Sequence, residues 1–223
     1  MTTMPPCGQD GRVKPSGVLV VSASLCFCGY GAIRLVGKAS GHYGPGIAWQ
    51  AAHLAGLAAL ALFVPVVLGL GRGLPRGPVR TGVLSVPLMG SAAAIIQFGI
   101  DIVFAVLAPD ATRMTTLYRD FSAIPGVSAV VYTVGPQLFY AGLVLLVVLL
   151  VRVGRLPWWS AVVLVVSVLL SIVSLDLLPI TSLGILGALL PAGRLSDEHT
   201  GPRTRIPDAE LDPVPLEQHP GHA

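Results

Sequence analysis

The chain alternates long apolar runs with short polar segments, a pattern typical of membrane-crossing helices. A helix needs about 20 mostly apolar residues to cross a hydrocarbon layer roughly 30 Å thick. The apolar runs, and the glycine, proline and charged residues that separate them, predict six spans. Their approximate bounds are Gly17–Gly37, Gly46–Gly71, Val83–Ala108, Val127–Val151, Trp158–Leu175 and Leu177–Leu190. We therefore predict an all-α integral membrane protein, a bundle of about six transmembrane helices with the sixth one short.

The last two spans depend on a break between them. A continuous helix from Pro157 to Pro191 would be about 50 Å long, more than one perpendicular crossing requires. Asp176 and Pro179 supply the break, because proline lacks a backbone N–H and disturbs the preceding turn. The remaining sixth segment, of about 14 residues, either crosses the membrane or re-enters it on the same side.

The two ends of the chain differ from its apolar middle. We divide the chain into a cytoplasmic N-terminal segment (1–16), the transmembrane bundle (17–193) and a charged tail (194–223). The tail holds three arginines against six acidic residues, a net charge of −3, together with five prolines. It has too few large apolar residues to bury a core, so we expect it to be disordered.

Composition narrows the class of protein further. Only 11% of the residues are charged and 53% are hydrophobic, whereas an average soluble domain is about a quarter charged. This excludes a water-soluble globular protein. Asparagine is absent and lysine occurs twice against twelve arginines, a bias expected of a GC-rich bacterial genome.

Basic residues beside the spans predict the orientation in the cell membrane. If the N-terminus is cytoplasmic, eight basic residues flank the spans on the inside and three on the outside, as the positive-inside rule favours. The inner ones are Arg12, Lys14, Arg72, Arg76, Arg80, Arg152, Arg155 and Arg194, and the outer ones are Lys38, Arg113 and Arg119. Six crossings would then leave the C-terminus inside as well.

Small residues at helical spacing predict close helix packing. Ala51, Ala55 and Ala59 form such a stripe on the second span, with Ala52 and Gly56 alongside. Gly90 and Ala94 repeat the pattern on the third span. Serines on the fifth span share one face, which we expect to contact backbone or neighbouring helices; they are Ser160, Ser167, Ser171 and Ser174.

The informative residues are the polar ones that hydrocarbon should exclude. A charged side chain near the bilayer centre costs roughly 3 kcal/mol, so such residues usually face a bundle interior or a cavity. They are Arg34 on the first span, Trp49, Gln50 and His53 on the second, Gln97 and Asp101 on the third, Thr133, Gln137 and Tyr140 on the fourth, and Asp176 after the fifth. With the N-terminus inside, these residues fall preferentially in the outer half of the bilayer.

Two interpretations of these residues stay open. In the first, Asp101 pairs with Arg34 or His53 to fix the bundle, and Asp176 is an exposed acid in a turn. In the second, the residues line a pocket open to the outer leaflet. His53, Asp101 and Asp176 are then its titratable, candidate catalytic groups, and the other polar residues contact a ligand.

Two functions suit such a pocket. One is a non-catalytic protein that binds a lipophilic small molecule or helps to move it. The alternative is an intramembrane acid/base enzyme such as an isoprenoid (terpenoid) cyclase. In that enzyme Asp101 would protonate an alkene or epoxide, and Asp176 or His53 would remove a proton.

The sequence lacks the residues that several other functions require. A bis-histidine haem needs two histidines in the spans, where His53 stands alone. We expect no cofactor, no metal and no nucleic-acid partner, since the arginines are spread over several loops without interleaved aromatic residues. The expected partners are membrane lipids and a lipophilic small molecule, and the oligomeric state does not follow from the sequence.

One pair of short segments carries a resemblance. Trp49-Gln50-Ala51-Ala52-His53-Leu54, followed after a basic loop by Gly99-Ile100-Asp101, resembles a pattern in small polytopic membrane proteins of high-GC bacteria that have no assigned activity. The resemblance extends over the second to sixth spans. It implies a similar membrane bundle and brings no mechanism with it.

Overall fold

The computed structural model describes residues 17–41 and 44–197, which form seven α-helices. They are α1 (Gly17–Ala39), α2 (Ile47–Gly71), α3 (Pro78–Leu107), α4 (Ala111–Ser122), α5 (Gly135–Arg152), α6 (Trp158–Val173) and α7 (Leu178–Asp197). A π-helical segment, Ser128–Val134, leads into α5, and a 3-10 turn, Leu175–Leu177, precedes α7. The predicted segment 1–16, and the predicted tail beyond Asp197, lie outside the described residues.

The predicted all-α membrane bundle is confirmed. Five helical segments are long and apolar enough to cross a membrane, and α6 is a shorter apolar helix of 16 residues. The five are Gly17–Ala39, Ile47–Gly71, Pro78–Leu107, Ser128–Arg152 and Leu175–Ala192. The part of the chain that the structure describes contains no strand.

Six of the helices form a closed ring. Each packs against two neighbours, in the order α1, α2, α3, α5, α6, α7 and back to α1. Helix α4 lies outside this ring and contacts α3. Phe63 of α2 and Phe139 of α5 meet across the ring, with their ring centroids 5.3 Å apart, and close its centre.

Helix α6 buries its serines together with Leu164 and Val168, and its outward face is apolar. Ser160, Ser167 and Ser171 are buried, as the serine stripe predicts, and the Oγ1 of Thr181 on α7 donates to the Ser167 carbonyl at 3.1 Å. The opposite face exposes large apolar side chains, such as Val166. This arrangement suits hydrocarbon, which solvates apolar side chains and offers no hydrogen bonds to hydroxyl groups.

The buried small residues of α2 include one member of the predicted stripe and the two residues predicted alongside it. The buried members are Ala52, Gly56 and Ala59, whereas Ala51 is exposed and Ala55 is half-buried. Both sets have helical spacing, so spacing alone does not select between them. The buried set shares a face with His53, which contacts α3.

The final two helices differ in length from the prediction. Helix α6 is the short one, and α7 has 20 residues rather than about 14. The break falls at Ser174, whose extended backbone ends α6 and whose Oγ accepts from the Asp176 N–H at 3.1 Å. Pro179 starts α7 rather than interrupting it, because the first helical turn has no intrahelical partner for an N–H in any case. Helix α7 also includes the first four residues of the predicted tail.

Candidate functional site

A histidine and an aspartate meet inside the ring, near one end of α2 and α3. The Nε2 of His53 lies 3.5 Å from Asp101 Oδ2, and their side chains are only 4% and 8% exposed. The two helices run in opposite directions, so the start of α2 lies beside the end of α3. The structure thus pairs Asp101 with His53, one of the two partners that the pairing interpretation named.

His53 is oriented by its surroundings. Its Nδ1 lies 2.8 Å from the Trp49 carbonyl oxygen, which can only accept, so Nδ1 carries a hydrogen and donates it. The Trp49 ring stacks on the imidazole at a centroid distance of 4.2 Å, and Tyr30 and Phe98 enclose the other sides. Nε2 is therefore the nitrogen directed at Asp101.

Asp101 also accepts hydrogen bonds from two tyrosine hydroxyl groups, neither of which belongs to α2. Tyr118 of α4 donates to Oδ1 at 2.7 Å, and Tyr132 of the π-helical segment donates to the same oxygen at 3.4 Å. A carboxylate accepts several hydrogen bonds, so the pair of tyrosines satisfies the oxygen that His53 does not face. Four elements of the chain thus converge on this carboxyl group.

Trp49 and Gln50 form hydrogen bonds with the backbone of α3 rather than with its side chains. Trp49 Nε1 donates to the Asp101 carbonyl oxygen at 3.3 Å, and Gln50 Nε2 donates to the Ile102 carbonyl oxygen at 3.1 Å. Carbonyl oxygens in a helix have a second lone pair free for such a bond. These two residues, predicted as ligand contacts, fix the register of α2 on α3.

The π-helical segment explains why Tyr132 faces inward. The hydroxyl of Thr133 donates to the Ser128 carbonyl, five residues earlier, at 3.2 Å, which is the spacing of a π turn. Regular α-helical spacing predicts Thr133, Gln137 and Tyr140 on one face. The wider turn instead leaves Thr133 exposed and directs Tyr132 to Asp101.

A cavity of about 290 Å³ lies in the ring beside the His53–Asp101 pair. All six ring helices contribute to its wall. Its lining residues are Phe27, Tyr30, Leu60, Ala94, Gln97, Phe98, Tyr132, Pro136, Gln137, Phe139, Tyr140, Ser171, Leu175 and Leu178. The cavity therefore includes the predicted residues Gln97, Gln137 and Tyr140, and Tyr132 joins it to Asp101.

Gln97 has an unusual environment in this wall. Its Oε1 atom is buried and has no hydrogen-bond partner among the described residues. A buried acceptor without a partner destabilises a protein by about 1–3 kcal/mol. A ligand donor placed at this atom would recover that free energy.

Asp176 belongs to a separate group. Lys38 Nζ contacts its two carboxylate oxygens at 2.7 and 2.8 Å, and Arg34 Nη1 contacts Oδ1 at 3.0 Å. The Asp176 side chain is 40% exposed. Arg34, the other partner considered for Asp101, thus pairs with Asp176, and these ion pairs tie α1 to the turn before α7.

Sequence reasoning missed three tyrosines of the site: Tyr30, Tyr118 and Tyr132. Tyr118 lies in α4, in the segment between the third and fourth predicted spans, whose Arg113 and Arg119 were counted as outer basic residues. The signal for α4 was present, since Met114, Leu117 and Phe121 recur with Tyr118 at helical spacing and Asp110 caps the first turn by accepting from the Arg113 N–H at 2.8 Å.

Within residues 17–41 and 44–197 no three His, Cys, Asp or Glu side chains lie close enough together to hold a metal ion. Comparison of the chain with protein-family models, with curated proteins and with solved structures gives no match. The resemblance to small membrane proteins of high-GC bacteria stays a prediction.

Proposed function

We propose that the cavity binds a small lipophilic molecule that carries a hydrogen-bond donor, and that the protein holds or moves this molecule in the membrane. The observation that carries the proposal is the buried, unpartnered Oε1 of Gln97 in the cavity wall. Most of the remaining wall is aromatic or aliphatic, which favours a ligand with an apolar body.

The size and rim of the cavity support a small ligand. Its volume of about 290 Å³ is near the lower end of the roughly 300–1,000 Å³ range of ligand pockets. Two lining residues, Leu175 and Gln137, are exposed and mark a route from the surface. With a cytoplasmic N-terminus in a bacterial cell membrane, the orientation that the loop charges favour, this rim opens toward the outer leaflet.

Binding can be tested with two probes that differ only in the donor. Geraniol is an apolar alcohol, and its methyl ether keeps the carbon skeleton but cannot donate a hydrogen bond. We expect the full-length protein in lipid nanodiscs to bind geraniol roughly tenfold more tightly than the ether, a difference of about 1.4 kcal/mol. Isothermal titration calorimetry measures both affinities.

Matched variants show which residue causes the difference in affinity between the two probes. Gln97→Leu should remove the difference between the two probes and leave the protein folded, because the substitution deletes an unsatisfied acceptor. Gln137→Leu changes the same side-chain type at the exposed rim, where the amide is not buried, and should keep the difference. Equal affinities of the wild-type protein for both probes would refute the proposal, as would failure to bind either.

A second function, an intramembrane acid/base enzyme, is favoured by the position of Tyr132. This tyrosine contacts the cavity and its hydroxyl bonds to Asp101, so it provides a proton path between the cavity and the His53–Asp101 pair. A substrate with an alkene or epoxide, such as an isoprenoid, would receive a proton through this path and return one to the same pair. Asp176 has no part in this version, since it is engaged by Arg34 and Lys38.

Mass spectrometry of lipophilic extracts separates the two functions. Cells with and without the gene should contain a chemically changed molecule if the protein is an enzyme, and a changed inside-to-outside ratio of one molecule if it is a carrier. Asp101→Asn should abolish the enzymatic change at an unaltered level of folded protein, whereas Asp176→Asn should not. Equal loss of folded protein and of product in Asp101→Asn would instead indicate a purely structural pair.

A further inference from the structure

A second cavity lies between α2 and α3 at the opposite end of the ring from the His53–Asp101 pair. It is a surface groove of about 460 Å³. Its lining residues are Leu68, Arg76, Gly77, Arg80, Thr81, Leu84, Ser85 and Leu88. The groove shares no residue with the central cavity, so a ligand bound in it would be independent of the proposed function.

The lining is divided along the helix axis. The arginines lie in the turn before α3 and in its first turn, whereas Leu84 and Leu88 follow one and two turns deeper along α3. Leu68 of α2 faces them with 43% of its side chain exposed. The groove is therefore polar and basic toward the end of the bundle and apolar toward the middle of the membrane-crossing helices.

Among the side chains that the structure describes, those at the basic end include arginines and no acids. Neither Arg76 nor Arg80 forms an ion pair with any side chain that the structure describes. Three more arginines lie at the same end of the bundle, and they are Arg72, Arg152 and Arg155. The acids with described side chains all lie at the other end; they are Asp101, Asp110, Asp120 and Asp176. Arginines accumulated without acids produce a positive potential that attracts anions.

The start of α3 adds to this potential. Its N-cap residue is Gly77, which has no side chain to cap the first N–H groups. The first N–H groups of a helix lack intrahelical partners and carry the positive end of the helix dipole. An oxyanion between Arg76 and Arg80 would lie near this end and receive guanidinium hydrogen bonds, which match phosphate geometry.

We propose that this groove binds an anionic phospholipid, with its phosphate at Arg76 and Arg80 and one acyl chain along Leu84 and Leu88. A free phosphate would use only the basic end and leave the apolar wall uncovered. An acyl chain covers that wall, and a groove between two membrane-crossing helices opens directly to the lipid. Basic pockets of this kind between transmembrane helices are known to suit anionic headgroups.

Native mass spectrometry of the purified full-length protein tests the proposal. Phosphatidylglycerol and phosphatidylcholine with identical acyl chains are offered at equal concentration, and the number of retained molecules of each is counted. We expect the wild-type protein to retain one phosphatidylglycerol at least tenfold more often than phosphatidylcholine. Arg76→Gln/Arg80→Gln should lose this preference.

Arg152→Gln/Arg155→Gln is the matched control, because it removes the same charge from the same end of the bundle but not from the groove. It should keep the preference. If it loses the preference as fully as the groove variant does, the attraction is a general property of that end and the proposal is wrong. Equal retention of the two lipids by the wild-type protein also overturns it.

A second variant separates a phospholipid from a free phosphate. Leu88→Trp keeps both arginines and obstructs the apolar end of the groove, so it should lose phosphatidylglycerol. A tenfold excess of glycerol phosphate over the lipid should not displace the lipid from the wild-type protein. Full displacement, or unchanged lipid retention by Leu88→Trp, would identify a phosphate site without a lipid chain and would contradict the proposal.

Discussion

A close backbone contact in the ring, between α3 and α5, can be tested with a single methyl group. A Cβ atom added at Gly90 would lie 2.6 Å from the Phe139 Cα and 2.7 Å from the Leu138 carbonyl carbon. Ordinary van der Waals contact begins at 3.4 Å, and the Phe139 backbone N lies nearer still to the added Cβ, so Gly90→Ala would require α5 to move by more than about 0.8 Å. The obstructing atoms are backbone and cannot turn aside as the end of a side chain can.

The size of the effect follows from this overlap. Overpacking a buried site typically destabilises by about 1–3 kcal/mol. Alanine also favours a helix over glycine by up to about 1 kcal/mol, which opposes the loss. Gly99→Ala on the same helix is the matched control, because nothing lies within 4 Å of its added Cβ. The difference between the two variants isolates the overpacking, and we expect it to be about 1–3 kcal/mol.

Unfolding of the purified protein by SDS in mixed micelles, followed by circular dichroism, measures this difference. Helices α3 and α5 also carry Gln97 and Gln137 of the cavity wall, so Gly90→Ala should change geraniol affinity while Gly99→Ala should not. If the two variants agree within about 0.5 kcal/mol, the helices do not approach as closely as the structure has them.

Three further results are expected. Tyr118→Phe removes the 2.7 Å hydrogen bond to Asp101 and should lower the free energy of unfolding by about 1 kcal/mol in the SDS titration; no change would show that α4 does not contact this site. Asp176→Asn should lower the melting temperature slightly in low salt and by less in high salt, because its ion pair with Lys38 is solvent-exposed and screened by ions; an effect independent of salt would contradict this. A cytoplasm-dependent reporter fused after Ala223 should be active, since six crossings from a cytoplasmic N-terminus end inside, and an inactive fusion would mean an odd number of crossings.

Interpretation of the sequence was correct for features that depend on how each single side chain is solvated. A run of apolar side chains pays no desolvation penalty in hydrocarbon, so its length locates a span almost irrespective of its neighbours. The same reasoning singled out His53, Asp101 and Gln97 as residues that must face the interior. His53 and Asp101 are buried in the structure, as is the Oε1 atom of Gln97, whereas Thr133 and Gln137, selected by the same reasoning, are exposed.

Contacts between helices could not be predicted in this way. Local spacing left Asp101 with two candidate partners, Arg34 and His53, and only the ring order of the helices assigns His53 to Asp101 and Arg34 to Asp176. The choice depends on which helices are adjacent, and adjacency is decided by packing summed over whole helix faces.

The sequence by itself determined that this is a bundle of apolar helices with a few polar residues directed inward, because the cost of placing each side chain in hydrocarbon is a local property. The tertiary structure alone decided that Tyr132 faces Asp101, because a π turn shifts it there against regular helical spacing. It alone also decided that Gln97 borders a cavity, because an empty volume is a property of six helices packed together and of none of them separately.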